Sequence, residues 1–491
     1  MENPDIKVIQ KILSGYYLYP DSLRETKGLT IFMVRGEQEK YLGAFGSRDQ
    51  ISGSGLTGKL SDYIETEKDD NSIIGLYNRG DKNLKILLSL IPELGPAPLG
   101  ISSSFGFGDR LGIANAAHIR TIRQQKNILP VLAQQSVREL QKTGKDFKKV
   151  VSNSMWNVLQ EGYRGKWGAD ADHIKDRENF IKAADAGMTM YTLDTSDHLA
   201  EEINYMTPEK IRHLYDLENR YIKSIKERYL DKDIFIDGEK ISFDEDTVIR
   251  LALVYGKALD FVGDIYRFLS QKMDAFDYEV SFDETNTVTT PEAHYFLVNE
   301  MLETGIRFTS LALRFPGTFE KGIDYLGDIR EFEESIKIHS NICRKIGGYK
   351  LSLHSGSDKL SIYPAFARHT QGVFHIKTSG TSWLEAVRVI AKVDPVFFRK
   401  LYNIAYDTFD YNKKAYHVNL DKNDLPASIN SWKDESLPEK MNLPDIRRMF
   451  HIAYGSILDK ENSRIFKLLF HNEDIHYKYL IGNFEKHFKS L

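Results

Sequence analysis

The chain has 491 residues, 41% of them apolar and 28% charged, with a net charge of −4. That length and balance describe a folded protein with a sizeable core, and a charge so near zero argues against nucleic acid or an anionic membrane as partner. A single cysteine, Cys343, excludes an internal disulfide framework and suits a reducing, cytoplasmic setting; no run of about 18 apolar residues marks a membrane span, and the opening MENPDIKVIQKILSGYYLYP lacks the basic and apolar segments of a secretion signal.

Residues 1–90 read as an α+β cap, in which LTIFMVRGEQEKYLGAFG supplies two strands about a Gly-Glu turn. From Gly95 onward a rhythm sets in: an apolar run, a polar loop, an amphipathic helix, then the same again. LGISSSFGFGDR precedes a helix over 111–126, ILPVLAQQS one over 137–160, and KWGADADHIK one over 177–186. MTMYTLDTSDHL leads into a long helical region, and YEVSFDET precedes a helix that starts at Pro291, where proline suits the first turn. FTSLALRF leads to a helix over 328–346, YKLSLHSGSDK to a short helix, and GVFHIKTSGTS to WLEAVRVIAKV.

Eight strand–loop–helix units predict an α/β fold, a closed (β/α)8 TIM barrel over residues 91–395. Charged helices over 200–275 form an insertion after the fourth strand, and residues 396–491 form a helical extension. In such a barrel the loops at the carboxyl ends of the strands carry the chemistry.

Polar residues gather at those ends. Asp170 and Asp172 alternate with alanines, so both carboxylates point to one side of the pleat, and His173 follows. Asp283 and Glu284 close the fifth strand; Ser352 and His354 share a face of the seventh, as His375 and Lys377 do of the eighth. Four strand ends thus bring two carboxylates and two imidazoles, a nitrogen–oxygen set for Zn, Mn, Ni or a similar divalent ion. Singly, each has an ordinary reading: Asp172 as the cap of the next helix, Asp283 as a loop tie. His118, His294, His339 and His369 read as packed or hydrogen-bonded helix residues. SGSDK and TSGTS are small-residue loops able to receive a phosphate or carboxylate, with Lys359 and Lys377 adding charge; equally, Gly356 and Gly380 serve tight turns. FGFGDRLG lacks the third glycine of a dinucleotide fingerprint, and reads as a place where backbone nears a ligand, with Asp109 and Arg110 functional.

FGFGDRLG, LAQQS, GADADHIK, the DET of VSFDET, HSGSDKLSIYP and HIKTSGTSWLEAVR, taken in that order from Gly95 to Val393, resemble the tagaturonate epimerase family. The resemblance implies interconversion of D-tagaturonate and D-fructuronate with a divalent metal, in bacterial hexuronate breakdown. In that substrate pair the inverted carbon is β to both the ketone and the carboxylate, so neither activates its C–H. Retro-aldol cleavage and re-addition is then favoured over transient oxidation, since no dinucleotide fingerprint is present. Under this scheme Asp172, Glu284, His354 and His375 are the expected ligands, with Asp170 or His173, and Asp283, as alternatives at their strands. Asp109 or Asp283 would carry the hydroxyl proton, and Lys377 would steady negative charge. Gln135, Arg314, Ser355, Ser357, Lys359 and Thr381 would bind the hydroxyls and carboxylate of the sugar acid. The rivals are a metal-dependent ketose isomerase, epimerase or aldolase for another sugar, a glycoside hydrolase, which His354 at the seventh strand disfavours, and a binding protein on a degenerate barrel.

Overall fold

The computed structural model describes residues 9–60, 63–65, 72–217, 220–416 and 418–491. Residues 9–12 are helical, and an antiparallel sheet follows, of β1 (Tyr17–Leu18), β2 (Arg24–Thr26), β3 (Leu29–Arg35), β4 (Lys40–Ser47), β5 (Ile64–Glu65) and β6 (Ser72–Tyr77). β3 and β4 are the two strands expected from the alternating apolar pattern; they pair from Thr30↔Phe45 to Arg35↔Lys40 about the turn at Gly36.

The barrel follows. Its strands are β7 (Ser104–Phe107), β8 (Leu129–Ser136), β9 (Gly168–Ile174) and β10 (Met190–Asp194), then, after a two-stranded insertion of β11 (Lys232–Ile236) and β12 (Glu239–Phe243), β13 (Asp277–Ser281), β14 (Ser310–Ala312), β15 (Lys350–Leu353) and β16 (Phe374–Thr378). Each barrel strand pairs in parallel with the next, and β16 pairs back onto β7, closing an eight-stranded barrel as the repeating units predicted. Helices between the strands start where the sequence offers caps. The Ser136 side chain accepts from the Glu139 amide in a capping box, Asp146 from Lys149, Asp176 from Asn179, and Thr290 from Ala293 just before Pro291.

Two stretches differ from expectation. The helix foreseen over 137–160 is two, Val137–Thr143 and Phe147–Gln160, because Gly144 takes a left-handed φ of 62° that ends the first and Asp146 caps the second. The insertion holds a hairpin besides its helices. Asp237 and Gly238 both take positive φ, the conformation of a tight two-residue hairpin turn, and β11 pairs with β12 about them.

The inner face of the barrel is unusual. Such interiors are normally filled with branched apolar side chains, whereas here the registered neighbours Thr192 and Glu279, Ser352 and His375, Ser310 and Lys350 are polar and buried. The alternate residues, among them Tyr191, Val280, Leu351 and Ile376, are fully buried beneath the helices. The C-terminal helices complete the packing: Trp383 donates its indole N–H to the Phe450 carbonyl, and Phe484 and Phe488 lie against Phe107 and Phe105 on the outside of β7, with ring centroids 5.0 and 4.9 Å apart. The last helix, Glu473–Lys489, also anchors the N-terminal sheet, where Glu473 accepts from Tyr19 at 2.8 Å and pairs with Lys40 at 2.7 Å. No helix among the described residues is long and apolar enough to cross a membrane.

Six buried histidines on these helices stay neutral. His118 is pushed down to about 3 by burial, His339 and His476 to about 4, and His294, His451 and His487 also lie below the usual imidazole range. Their hydrogen bonds agree. His339 donates from Nε2 to the Thr289 carbonyl, so its Nδ1 accepts from His294 Nδ1 (3.0 Å), leaving His294 Nε2 to accept from the Tyr349 hydroxyl (2.8 Å). Because the unfolded chain binds these protons near pH 6.5 and the folded chain does not, stability should fall as pH drops below about 6.5, by about 1.4 kcal/mol per pH unit for each histidine. Thermal denaturation from pH 7.5 to 5 checks this; a flat Tm would show that these groups are not held neutral.

Candidate active site

At the carboxyl end of the barrel, residues from six strands converge. His173 ends β9 in a left-handed conformation, φ 51°, rare for a residue with a side chain and found where surrounding structure enforces it. Asp283 lies just beyond β13 and His354 just beyond β15. Among the described residues these three are the trio whose ligand-type atoms all lie within 4.8 Å of one another. His354 Nδ1 is 3.0 Å from Asp283 Oδ1, and His173 Nε2 is 3.8 Å from the same oxygen.

Each imidazole is held from behind by a carboxylate. His173 Nδ1 donates to Asp172 Oδ1 at 2.8 Å, and His354 Nε2 donates to Glu279 Oε1 at 2.7 Å. These bonds fix both rings with their other nitrogens turned toward Asp283. Carboxylate–imidazole pairs of this kind are how proteins orient histidine ligands and raise their basicity. Both supporting carboxylates converge in turn on Lys377, whose Nζ lies 2.7 Å from Asp170, 2.8 Å from Asp172 and 2.8 Å from Glu279, and also bonds Thr192. Ser310 donates to the second oxygen of Glu279 at 2.6 Å, and Thr192 to Asp170 at 2.9 Å.

The charges follow from this geometry. Burial pushes Asp170 up to about 7 against the pull of Lys377. Burial also works against ionisation of Asp172 and Glu279, but the ammonium and the adjacent imidazole hold both below the usual carboxylate range. Lys377 lies well above the ordinary lysine value, since three carboxylates outweigh the burial that would strip its proton. His173 and His354 are likewise raised, by Asp172 and by Asp283 with Glu279, against burial. Asp170, Asp172 and Glu279 thus face the Lys377 ammonium, and Asp283 faces the two imidazoles. The surplus negative charge draws protons onto the two imidazoles, and the same field, with two nitrogens and one oxygen converging, suits a divalent cation. The residues present fit such an ion.

The residues expected from sequence are distributed as follows. His354 is in the trio; His173 and Asp283, alternatives at their strands, join it. Glu284 is not in it: one residue past Asp283 the side chain is 43% exposed, 4.0 Å from His173 Nε2. His375 is not in it either. It precedes Lys377 by two residues and so sits one layer deeper, bonded through Nδ1 to the Ser104 hydroxyl at 2.9 Å and pushed down to about 3 by burial. Asp172 stands behind His173 as its support. Asp109 gives both oxygens to backbone amides, Gly112 at 2.7 Å and Ala114 at 2.8 Å, which makes it a loop tie rather than a free base. Gln135 pairs in register with Ala171, on the opposite face from Asp170 and Asp172, and donates to the Asp109 carbonyl at 2.9 Å. Arg110 is clamped by Glu139 and the His451 carbonyl.

The two small-residue loops bind each other. Ser357 donates to the Ser379 carbonyl at 2.9 Å and accepts its amide at 2.7 Å. A Cβ on Gly356 would meet Ile376 at 2.7 Å, and one on Gly108 the Thr378 carbonyl at 2.7 Å, so these glycines serve close chain packing rather than a ligand. Lys359 is fully buried with its ammonium on the Glu320, Ile323 and Ser357 carbonyls, and Thr381 is buried at the start of the next helix. Arg314 donates to the Gly317 carbonyl at 3.3 Å. Ser355, at φ 50°, accepts from Lys321.

Reasoning from sequence missed Glu279, Thr192 and Lys321. Glu279 carried a signal: it lies inside a buried strand, on the same side of the pleat as Asp277 and Asp283. Removing the clamp while leaving its carboxylates buried should be severe. Lys377→Met is expected to cost about 3–5 kcal/mol of stability and to weaken divalent-metal binding about 10–100-fold, read by denaturant unfolding and metal titration; a variant as stable as the parent would contradict the clamp.

The UxaE family profile, described as tagaturonate epimerase, matches residues 19–491. A tagaturonate/fructuronate epimerase of Thermotoga maritima is 40% identical over 475 residues, 96% of each chain. A crystal structure of the fructuronate-tagaturonate epimerase UxaE from Cohnella laeviribosi, in a glycerol complex, superposes with a TM-score of 0.92 at 36% identity over 99% of both chains, and its native structure does so equally. With a profile match over residues 19–491, a relative 40% identical over 96% of each chain, and a closed barrel that carries this site at its carboxyl end, the chain belongs to the tagaturonate epimerase family.

Proposed function

We propose that this protein interconverts D-tagaturonate and D-fructuronate by metal-assisted retro-aldol cleavage and re-addition, in the cytoplasm, as a step of hexuronate breakdown. What carries the reading is the paired arrangement of Asp172 behind His173 and Glu279 behind His354, both rings turned toward Asp283, in a chain of this family.

In the reaction the hydroxyl on the carbon to be inverted loses its proton and becomes an aldehyde, while the electrons of the adjacent carbon–carbon bond pass to the ketone side as an enediolate. The aldehyde turns over, the bond re-forms on its other face, and the proton returns to the new hydroxyl. The hydrogen on the inverted carbon never leaves it. His173, Asp283 and His354 would hold the divalent ion, which when bound supplies Lewis-acid charge for oxygens that turn negative.

Among the nearby carboxylates Glu284 is the one suited to carry the hydroxyl proton. It is half exposed at the rim and, among the described residues, in ion-pair range only of His173, whereas Asp170, Asp172, Glu279 and Asp283 are engaged by Lys377 or the imidazoles. Lys377 takes no covalent part: an ammonium locked among three carboxylates is no amine nucleophile, which disfavours a Schiff base. Its contribution is to hold Asp172 and Glu279, and through them the two imidazoles.

Chelation should abolish epimerisation and a divalent metal restore it, and His173→Ala or His354→Ala should lower bound metal and cut kcat/KM at least about 100-fold; full activity in protein shown to be metal-free would refute the metal. Glu284→Gln should retain metal and lose about 100-fold or more in kcat. Substrate deuterated at the inverted carbon should give product with the label kept, whereas washout into water would rule out the cleavage route.

A further inference from the structure

The cations that line the carboxyl end of the barrel are nearly all occupied. Lys377 is held by three carboxylates and Lys359 by three carbonyls. Lys175 donates to Ser196 at 2.7 Å and to Asp197 at 2.8 Å. Two others have no carboxylate within 4.0 Å among the described residues: Arg314, which donates to the Gly317 carbonyl at 3.3 Å, and Lys321, whose bond is to the residue that follows His354. Lys321 is half-buried, and its ammonium donates to the Ser355 hydroxyl. Ser355 directly follows His354, so this ammonium stands beside the metal-type trio, with Glu284, Asp283 and Asp172 the acids whose charge it feels.

The loop that presents Lys321 is built to hold it still. Lys359 grips the carbonyls of Glu320 at 2.8 Å and Ile323 at 2.5 Å, on either side of it. From the C-terminal helix Pro444–His471, Arg447 grips the Gly322 carbonyl at 2.6 Å and Arg448 pairs with the Glu320 side chain at 2.8 Å. Every neighbour of Lys321 is pinned by a side chain from elsewhere in the fold, while its own ammonium keeps two of its three donors unspent. An ordered, under-used cation of this kind is a receptor for a carboxylate, at low cost in ordering.

We propose that Lys321, together with the Ser355 hydroxyl, binds the carboxylate of the sugar-acid substrate and selects acids over neutral ketoses; the inference deepens the function proposed above and rests on it for the identity of the substrate. Lys359 and Arg447 are then positioning residues for Lys321.

The test uses full-length, metal-loaded protein. Lys321→Met should raise KM for D-tagaturonate about 10–100-fold, the worth of one charge-assisted contact, with kcat changed far less and bound metal unchanged; Lys321→Arg should recover part of the loss. A second readout does not need turnover: calorimetric binding of D-galactonate against its neutral counterpart D-galactitol. The parent should bind the acid more tightly, and Lys321→Met should lose that preference while binding galactitol as before. Equal binding of acid and polyol by the parent, or an equal change for both in the variant, would overturn the assignment. Failure of the parent to epimerise tagaturonate, with the galactonate preference intact and dependent on Lys321, would sink the proposed reaction and leave the carboxylate receptor standing.

Discussion

Much of this site hangs on one ammonium. Lys377 sits inside the barrel among Asp170, Asp172 and Glu279. Three carboxylates so close together and shielded from water would repel one another strongly, and each costs several kcal/mol to bury. The lysine makes their cohabitation tolerable. It thereby permits two of them to stand behind His173 and His354. The order of dependence runs upward from the barrel interior: ammonium, carboxylates, imidazoles, and then whatever the imidazoles and Asp283 hold.

That dependence explains why the interior is polar where most barrels of this kind are oily. An apolar interior would have left Asp172 and Glu279 without a counter-charge, and the histidines without a fixed orientation. The apolar burial is moved outward, to the faces beneath the helices, where Leu351, Ile376 and Val280 are fully covered. Lys350 continues the polar column downward, donating to Ser104, which also meets His375.

The loops above the barrel are stiffened from outside it. Ser357 and Ser379 tie the seventh and eighth loops together, and Arg447 and Arg448 reach from the C-terminal helices to the loop after β14. The C-terminal helices are therefore more than a cover for the barrel's outer face. Their guanidinium groups set where residues 320–322 lie, and through them the position of a cation at the rim of the site.

By itself the sequence determined the alternation. Eight apolar runs, each followed by a polar turn and an amphipathic segment, encode strand, loop and helix through local periodicity, and closure of eight parallel strands follows from their number. The Asp-Gly of the hairpin and the Gly144 break each left a local signal, since positive φ is a local demand, but the helical pattern around them overrode it. The partners within the site were decided only by the tertiary structure. Lys377 meets Asp172 across 205 residues of chain, and pleat parity alone does not reveal which strands face each other or at what height. Glu284 and His375 stand near members of the trio in sequence but outside it in space, Glu284 at the exposed rim and His375 one layer deeper. His173 enters the site only because its backbone turns left-handed at the strand end, a strain that the packed fold imposes and no local pattern announces.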